Sequence, residues 1–252
     1  MPELPEVEAV CRVARRALDG WRICLPQTPR QVAAALAGKR CLAVERLGKN
    51  ILIHLEGATL TVHLRMTGNL YALAHPGLRP RTTSAHLVLD DGRALVFDDP
   101  RGLGILRLGR PPGPVGPDPL SREFTPQRFA EMARAGRSPI KVWLMDQRRV
   151  AGLGNIYAAE ALHRAGIDPR RLASTLRVSR LNRLHAAIVA ILAVAVESAS
   201  RAYRRPGGFA DGEWFTAAVY GRDGLPCRRC RRLIRRIPQG GRSTYFCPGC
   251  QR

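Results

Sequence analysis

The sequence predicts an α+β protein: one helix, an antiparallel strand region, then helices closed by a small metal-bound hairpin. Three observations predict it. Apolar residues recur at helical spacing near the start, then alternate at strand spacing from about residue 40 to 108. Helical spacing returns after a proline-rich break. Two CxxC pairs close the chain.

Residues 5–18 carry Val7, Val10, Cys11, Ala14, Ala17 and Leu18 on one helical face. Pro5 suits a first turn, and Glu6 and Glu8 suit the positive end of the helix dipole. The segments RCLAVERL, NILIHLE, TLTVHLR, AHLVLD and RALVFDD are rich in β-branched and alternating residues. Asp91-Gly92 between the last two signals a hairpin. Together they imply antiparallel sheet, as a sandwich or a flattened barrel. RPPGPVGPDPL, residues 110–120, continues neither sheet nor helix and reads as a linker. Beyond it Thr125 caps a helix with Pro126 at its first position, and Ser138-Pro139 repeats that signature before IKVWLMD. A third helix runs from Asn155 to Ala165, stopped by Gly166 and Pro169, and a fourth from Ser179 to about Tyr203.

The charge narrows the partner. There are 41 Lys+Arg against 20 Asp+Glu, a formal net charge of +21, and a sequence pI near 11.2. Such a surplus points to a polyanion, with nucleic acid favoured over membrane. Nearly all of it is arginine; lysine occurs only as Lys39, Lys49 and Lys141. The acidic start lacks the basic and apolar regions of a signal peptide. The most apolar run, 186–196, is too short to span a bilayer and reads as the buried middle of a helix. Seven cysteines without an export signal imply a reducing compartment, hence a cytoplasmic, non-secreted protein.

Four motifs carry chemistry. Cys227 and Cys230, sixteen intervening residues, then Cys247 and Cys250 suit four thiolates around one tetrahedral Zn²⁺ with a β-hairpin between them. Four protein ligands leave no open position, so this zinc is structural. Arg228, Arg229, Arg231, Arg232, Arg235, Arg236 and Arg242 lie between the knuckles and suit phosphate contacts, although a solvated face would look alike. In AGLGNIYAAEALHRAG (151–166), glycines lead into a helix whose N-terminus favours an anion. No Walker lysine and no preceding strand accompany them, which excludes nucleotide-cofactor readings; a tight helix–helix turn would look alike. DDPRGLG (98–104) and HLRMTGNL (63–70) place Arg101, Leu103 and Met66 on turns, where such side chains can fill a gap in a base stack. An ordinary turn with a buried apolar residue reads the same.

The fourth motif is the N-terminus. Pro2 is small enough for the initiator methionine to be removed, exposing a secondary amine beside Glu3. An unperturbed α-amino group titrates at about 7.7–8.0, so a neutral, nucleophilic fraction exists near physiological pH. Glu3 could serve as its acid/base partner.

These segments, in this order, resemble the formamidopyrimidine-DNA glycosylase/endonuclease VIII family of base-excision repair enzymes. The resemblance runs through PELPEVE, RLGKNILIHL, HLRMTGNL, DDPRGLG, IKVWLMDQRRVAGLGNIYAAEALHRAGI, VYGRDGLPC and GGRSTYFCPGCQ, and covers essentially the whole chain. It implies an N-terminal β-sandwich catalytic domain (1–109), a linker (110–123), a helix–two-turns–helix DNA-binding domain (124–220) and a β-hairpin zinc finger (221–252). It makes Pro2 the nucleophile that attacks C1′ of a damaged nucleotide and Glu3 the acid/base group for sugar-ring opening. Lys49 matches an essential lysine that contacts phosphate near the lesion and helps catalysis. Met66, Arg101 and Leu103 match the trio filling the gap left by the flipped base. Lys141, Asn155, Tyr220 and Arg242 match phosphate-contacting positions. The implied activity is that of a bifunctional glycosylase and AP lyase, working through a proline iminium and β,δ-elimination on an extruded base. The implied partner is double-stranded DNA containing damaged bases, met by a monomer at the bacterial nucleoid, with one structural zinc and no membrane.

Two departures bear on the lesion. Leu103 stands where the oxidised-purine branch usually has phenylalanine, and only SRAYRRPGGFADGEWF stands where that branch has a longer lesion-capping segment. The motifs HLRMTGNL and DPRG are closer to the formamidopyrimidine branch. An oxidised-pyrimidine or abasic-site specialist of the endonuclease VIII type is the alternative, and a non-catalytic zinc-bearing DNA-binding protein is the reading from another class.

Overall fold

The computed structural model describes residues 2–27, 30–75, 77, 81–113, 115–203 and 215–252. The chain forms two compact units, Met1–Gly113 with Val196–Trp214, and Pro114–Ala195 with Phe215–Arg252.

The first unit begins with α1 (Leu4–Leu18), whose stripe Val7, Val10, Cys11, Ala14, Ala17 and Leu18 is buried as its spacing predicts. Among the described residues eight strands follow: β1 (Ile23–Gln27), β2 (Cys41–Leu47), β3 (Asn50–Leu55), β4 (Ala58–His63), β5 (Asn69–Leu73), β6 (Thr83–Leu89), β7 (Ala94–Asp98) and β8 (Ile105–Leu108), with α2 (Arg30–Leu36) after β1. They pair into two four-stranded antiparallel sheets, ordered β1-β6-β7-β5 and β2-β3-β4-β8. Ile53 and Val62 of one sheet and Leu87, Leu95 and Phe97 of the other line a common apolar pocket. The arrangement is therefore a sandwich, not a barrel. Helix α1 packs against strands of both sheets. Asp91-Gly92 makes the β6–β7 turn, with Gly92 at φ 85.

The second unit holds α3 (Pro126–Arg134), α4 (Ile140–Met145), α5 (Asn155–Ala165), a 3-10 turn (Ala173–Thr175), most of α6 (Val178–Ala202), and the hairpin β9 (Arg235–Gln239) and β10 (Arg242–Phe246). Thr125 caps α3, its side chain accepting from Arg128 N at 3.2 Å, and Gly166 ends α5 at φ 70. Phe129 is fully buried among Phe124, Trp143 and His185.

Three expectations need correction. Pro139, not Ser138, precedes the first residue of α4. Pro139 bridges Leu172 in extended backbone (φ −51, ψ 140), and this pairing delays the helix by one residue. The run 186–196 belongs to a 25-residue helix that is, by length and composition, apolar enough to cross a membrane. Its buried residues fall at Leu181, Leu184, Ile188, Leu192, Ala195 and Ala199, while Val194 is 66% exposed. It is a one-sided core helix, not one buried all round. Glu8 does not serve the helix dipole. It pairs with Arg12 at 3.3 Å and with Arg46 of β2 at 2.8 Å.

Candidate active site and nucleic-acid interface

In the first unit, Pro2 is half-buried and precedes the N-cap of α1. Glu3, 1% exposed, is the N-cap, and the Glu6 carboxylate accepts the Glu3 N–H at 2.8 Å, which completes a reciprocal capping box. Glu6 thus keeps the helix-start role its position suggests. Lys49 sits in the two-residue β2–β3 turn, where Gly48 at φ 61 supplies the positive φ such hairpins need. The Arg46 side chain donates to Glu8 of α1 at 2.8 Å and to the Gly48 carbonyl at 3.4 Å. One largely buried guanidinium therefore ties the lysine turn to the helix that begins beside Pro2. Across the β3–β4 pair lies His63, opposite Asn50. Burial, reinforced by Arg65 and Lys49, holds His63 down to about 4, so it is neutral at physiological pH. Its Nδ1 accepts the Arg65 N–H at 3.0 Å.

Met66 and Leu103 are 43% and 45% exposed, and Arg101 is exposed. The alternative of ordinary turns with buried apolar residues is thereby excluded. Gly68 N donates to Leu64 O at 2.9 Å, closing the Met66 turn, in which Arg65 adopts a left-handed φ of 54. Gly102 N donates to Asp99 O at 3.1 Å, closing a turn with Pro100 at its second position and Arg101 at its third.

In the second unit, Lys141 is not a surface cation: its side chain is fully buried. Its Nζ donates to Asn155 Oδ1 at 2.5 Å, Thr244 Oγ1 at 2.7 Å and Ser243 O at 3.3 Å. Asn155 Nδ2 also donates to Ser243 O, at 3.1 Å. Tyr220 packs edge-on against Tyr245, with ring centroids 5.0 Å apart, and Arg242 is exposed at the start of β10. Lys141 and Asn155 therefore meet β10 at Ser243, beside Arg242, and Tyr220 meets it at Tyr245.

The four zinc-motif sulfurs lie within 4.8 Å of one another, with Cys227 and Cys250 at 3.9 Å and Cys230 and Cys247 at 3.3 Å. A tetrahedral ion with Zn–S near 2.3 Å places sulfurs about 3.8 Å apart, so the set fits one Zn²⁺. A Cβ on Gly249 would meet Cys230 Sγ at 3.0 Å and Arg232 Cδ at 2.7 Å, so a larger residue in this knuckle must displace the Arg232 side chain and press on a ligand sulfur. Gln251 ties the second knuckle to the end of α5, accepting from Cys247 N at 2.8 Å and donating to Ile167 O at 2.9 Å.

Sequence reasoning missed three supporting residues. Asp99 accepts from Thr67 Oγ1 at 3.0 Å and from Gly104 N. Glu160, 4% exposed, accepts the N–H groups of Ala218, Val219 and Tyr220 at 2.8, 2.9 and 2.8 Å. Gln147 holds the glycine turn before α5, accepting from Gly152 N and donating to the carbonyls of Met145 and Leu153. A signal existed for Glu160, a lone carboxylate inside the apolar helix NIYAAEALHRA. None existed for Asp99, which looks like its neighbour Asp98. The expectation for the short 204–214 segment lies outside the described residues.

The family model for the formamidopyrimidine-DNA glycosylase N-terminal domain matches residues 1–106, and that for the formamidopyrimidine-DNA glycosylase H2TH domain matches residues 115–205. A zinc finger found in FPG and IleRS matches residues 224–252. A formamidopyrimidine-DNA glycosylase of Chloroflexus aggregans is 42% identical over 271 residues, covering 100% of this chain and 98% of the relative. The crystal structure of the MutM (Fpg) protein of Thermus thermophilus superposes with a TM-score of 0.85 at 39% identity, covering 99% of this chain and 98% of that one. A MutM structure in complex with carbocyclic 8-oxo-G containing DNA gives 0.86 at 31%, covering both chains completely. The chain belongs to the formamidopyrimidine-DNA glycosylase family: it is a DNA repair glycosylase whose four clustered cysteines hold one structural zinc.

Proposed function

We propose that this enzyme excises oxidised bases from duplex DNA and then cleaves the strand as an AP lyase. The observation that carries the reading is the junction at the start of α1. A half-buried Pro2 and a buried Glu3 there lead into a helix bolted through Glu8 and Arg46 to the turn of Lys49. With the initiator methionine removed, the Pro2 nitrogen attacks C1′, and the C1′–base bond breaks as its electron pair leaves with the base. Glu3 protonates the sugar-ring oxygen as the ring opens. The resulting iminium withdraws electrons from C2′, whose proton is lost as the C3′–O bond breaks. Loss of the C4′ proton then expels the 5′ oxygen. Secondary-amine chemistry suffices, because iminium formation needs only one N–H.

Lys49 holds the phosphate beside the lesion, and Met66, Arg101 and Leu103 occupy the vacated stack. Asn155, Tyr220 and Arg242 contact phosphates. Lys141 acts from behind Asn155, its buried charge favouring an anion there. Residues 1–109 form the catalytic domain, 110–123 the linker, 124–220 the DNA-binding helices and 221–252 the zinc finger. Action is by a monomer at the cytoplasmic nucleoid. The relative bound to 8-oxo-G DNA supports an oxidised-purine substrate. Leu103 in place of a larger aromatic side chain supports weaker discrimination among lesions.

Borohydride trapping on duplex DNA with one abasic site tests the reading. The expected result is a covalent adduct from protein with a verified Pro2 N-terminus, and none from protein whose N-terminal nitrogen is acetylated. No adduct from the wild type refutes it.

A further inference from the structure

The two turns that carry Met66 and Arg101/Leu103 are far apart in sequence, and a single carboxylate joins them. Strand alternation at the end of β7 sends Asp98 outward, where it accepts from Thr82 Oγ1, and Asp99 inward, where it is 4% exposed. Asp99 Oδ1 accepts from Thr67 Oγ1, one residue from Met66, at 3.0 Å. Oδ2 accepts from Gly104 N, one residue from Leu103, and the Asp99 carbonyl closes the Arg101 turn. Both turns also abut one ring. A Cβ on Gly68 would meet Phe97 Cε2 at 3.0 Å, and a Cβ on Gly104 would meet Phe97 Cζ at 2.4 Å. Phe97 supplies a floor and Asp99 a cross-link, so neither turn can shift without straining the other.

From this geometry we infer that Asp99 is a positioning residue that makes Met66, Arg101 and Leu103 move and insert as one unit. The inference rests on the gap-filling role given to those three side chains above. Each probe alone would enter a base stack against the cost of unstacking. Held in one fixed array, the three share a single ordering cost already met in the folded protein. Asp99 itself touches no DNA. Its substitution therefore affects only substrates with a duplex gap to fill.

The test compares borohydride trapping rates on one abasic site in duplex and in single-stranded DNA, using full-length zinc-loaded protein. A single strand has no orphaned base and no stack to refill. Asp99→Asn keeps the volume and weakens the charge-assisted bonds, so the duplex rate falls about tenfold while the single-strand rate holds. Thr67→Val, which spares the Gly104 bond, lowers the same duplex-to-single-strand ratio by a smaller factor. The double variant falls by less than the product of the two single effects, because both act on the shared Thr67–Asp99 bond. Equal losses on both substrates, or no loss on either, overturn the inference. If Asp99→Asn does not fold, Thr67→Val decides by the same ratio. A wild type that traps on neither substrate overturns the parent reading and this one with it; a trapping wild type with an unchanged ratio in the variants overturns this one alone.

Discussion

Replacing Glu160 by glutamine isolates the cost of anchoring the Tyr220 loop. The carboxylate receives three backbone N–H groups within 2.9 Å, two of them on Oε1 and one on Oε2. Glutamine keeps the length and volume, but its amide NH2 must face the Ala218 N–H, donor against donor. Its carbonyl can still receive Val219 and Tyr220, now as neutral bonds. A hydrogen bond to a charged group contributes about 1.5–3 kcal/mol, roughly twice a neutral one. One such bond is lost and two are weakened, and part of the loss is recovered because Ala218 and Tyr220 are only half-buried. The net cost is about 2–4 kcal/mol, a substantial part of the 5–15 kcal/mol typical of a folded domain.

The loss should be local. Amide hydrogen exchange at residues 218–220 should accelerate by roughly 30- to 800-fold, the same free energy expressed at about 1.36 kcal/mol per decade. Amides in α3, whose contacts lie with Trp143 and His185, should keep their protection. DNA affinity at fixed salt should fall as well, since Tyr220 loses its backbone support. Exchange at 218–220 within threefold of wild type would refute the reasoning, because it would mean the three bonds contribute nothing net.

Four further outcomes are expected. Folded His63 takes its proton only near pH 4, the unfolded chain near 6.5. Between these values the unfolded state holds more protons, so this contribution to stability is intact above pH 6.5 and is lost as the pH falls toward 4. His63→Gln should flatten urea midpoints across that window relative to wild type; parallel curves would contradict it. Burial pushes the Cys11 thiol up to about 12 and Cys41 up to about 11, while Cys24 is exposed. Iodoacetamide should therefore label Cys24 rapidly in zinc-loaded protein and the four clustered cysteines only after chelation. Cys247→Ser should lower zinc content and DNA affinity together, and mass spectrometry of the labelled protein would expose any other order. Tyr203 Oη donates to Leu70 O at 2.9 Å from a site 4% exposed. Tyr203→Phe should cost about 1–2 kcal/mol by urea denaturation, and a change below a few tenths would count against the bond.

What was legible in the sequence follows from where each interaction is encoded. Helix ends are local, so Thr125-Pro126 and Gly166 marked α3 and α5 correctly. The strands not singled out from the sequence, β1, β5 and β8, all lie at sheet edges: β1 carries Pro26, which an edge position tolerates, β5 has five residues and β8 only four. Each exists because a neighbour supplies hydrogen-bond partners, and that neighbour is distant in sequence. The zinc ligands were legible for the opposite reason: a metal's coordination geometry fixes the spacing of its ligands.

The candidate site divides along the same line. Side chains expected to touch DNA stood out because their types are unusual where they occur: an N-terminal proline, rare lysines, apolar residues on turns. The residues that hold them stood out less: Asp99 and Arg46 are ordinary surface types until burial gives them partners, and Glu160 left only the trace of a lone carboxylate in an apolar helix. Burial also changed what a motif residue does. Lys141 was legible as a cation, but the structure seals its ammonium under Asn155 and β10, where a charge is tolerated only with several acceptors around it. If Asn155 contacts phosphate as proposed, a lysine so placed acts through the asparagine it orients. Lys141→Met should therefore disorder Asn155 and the hairpin contact together, an effect that loss of a surface charge alone would not produce. Backbone amide shifts at Ser243 and Thr244 would separate the two.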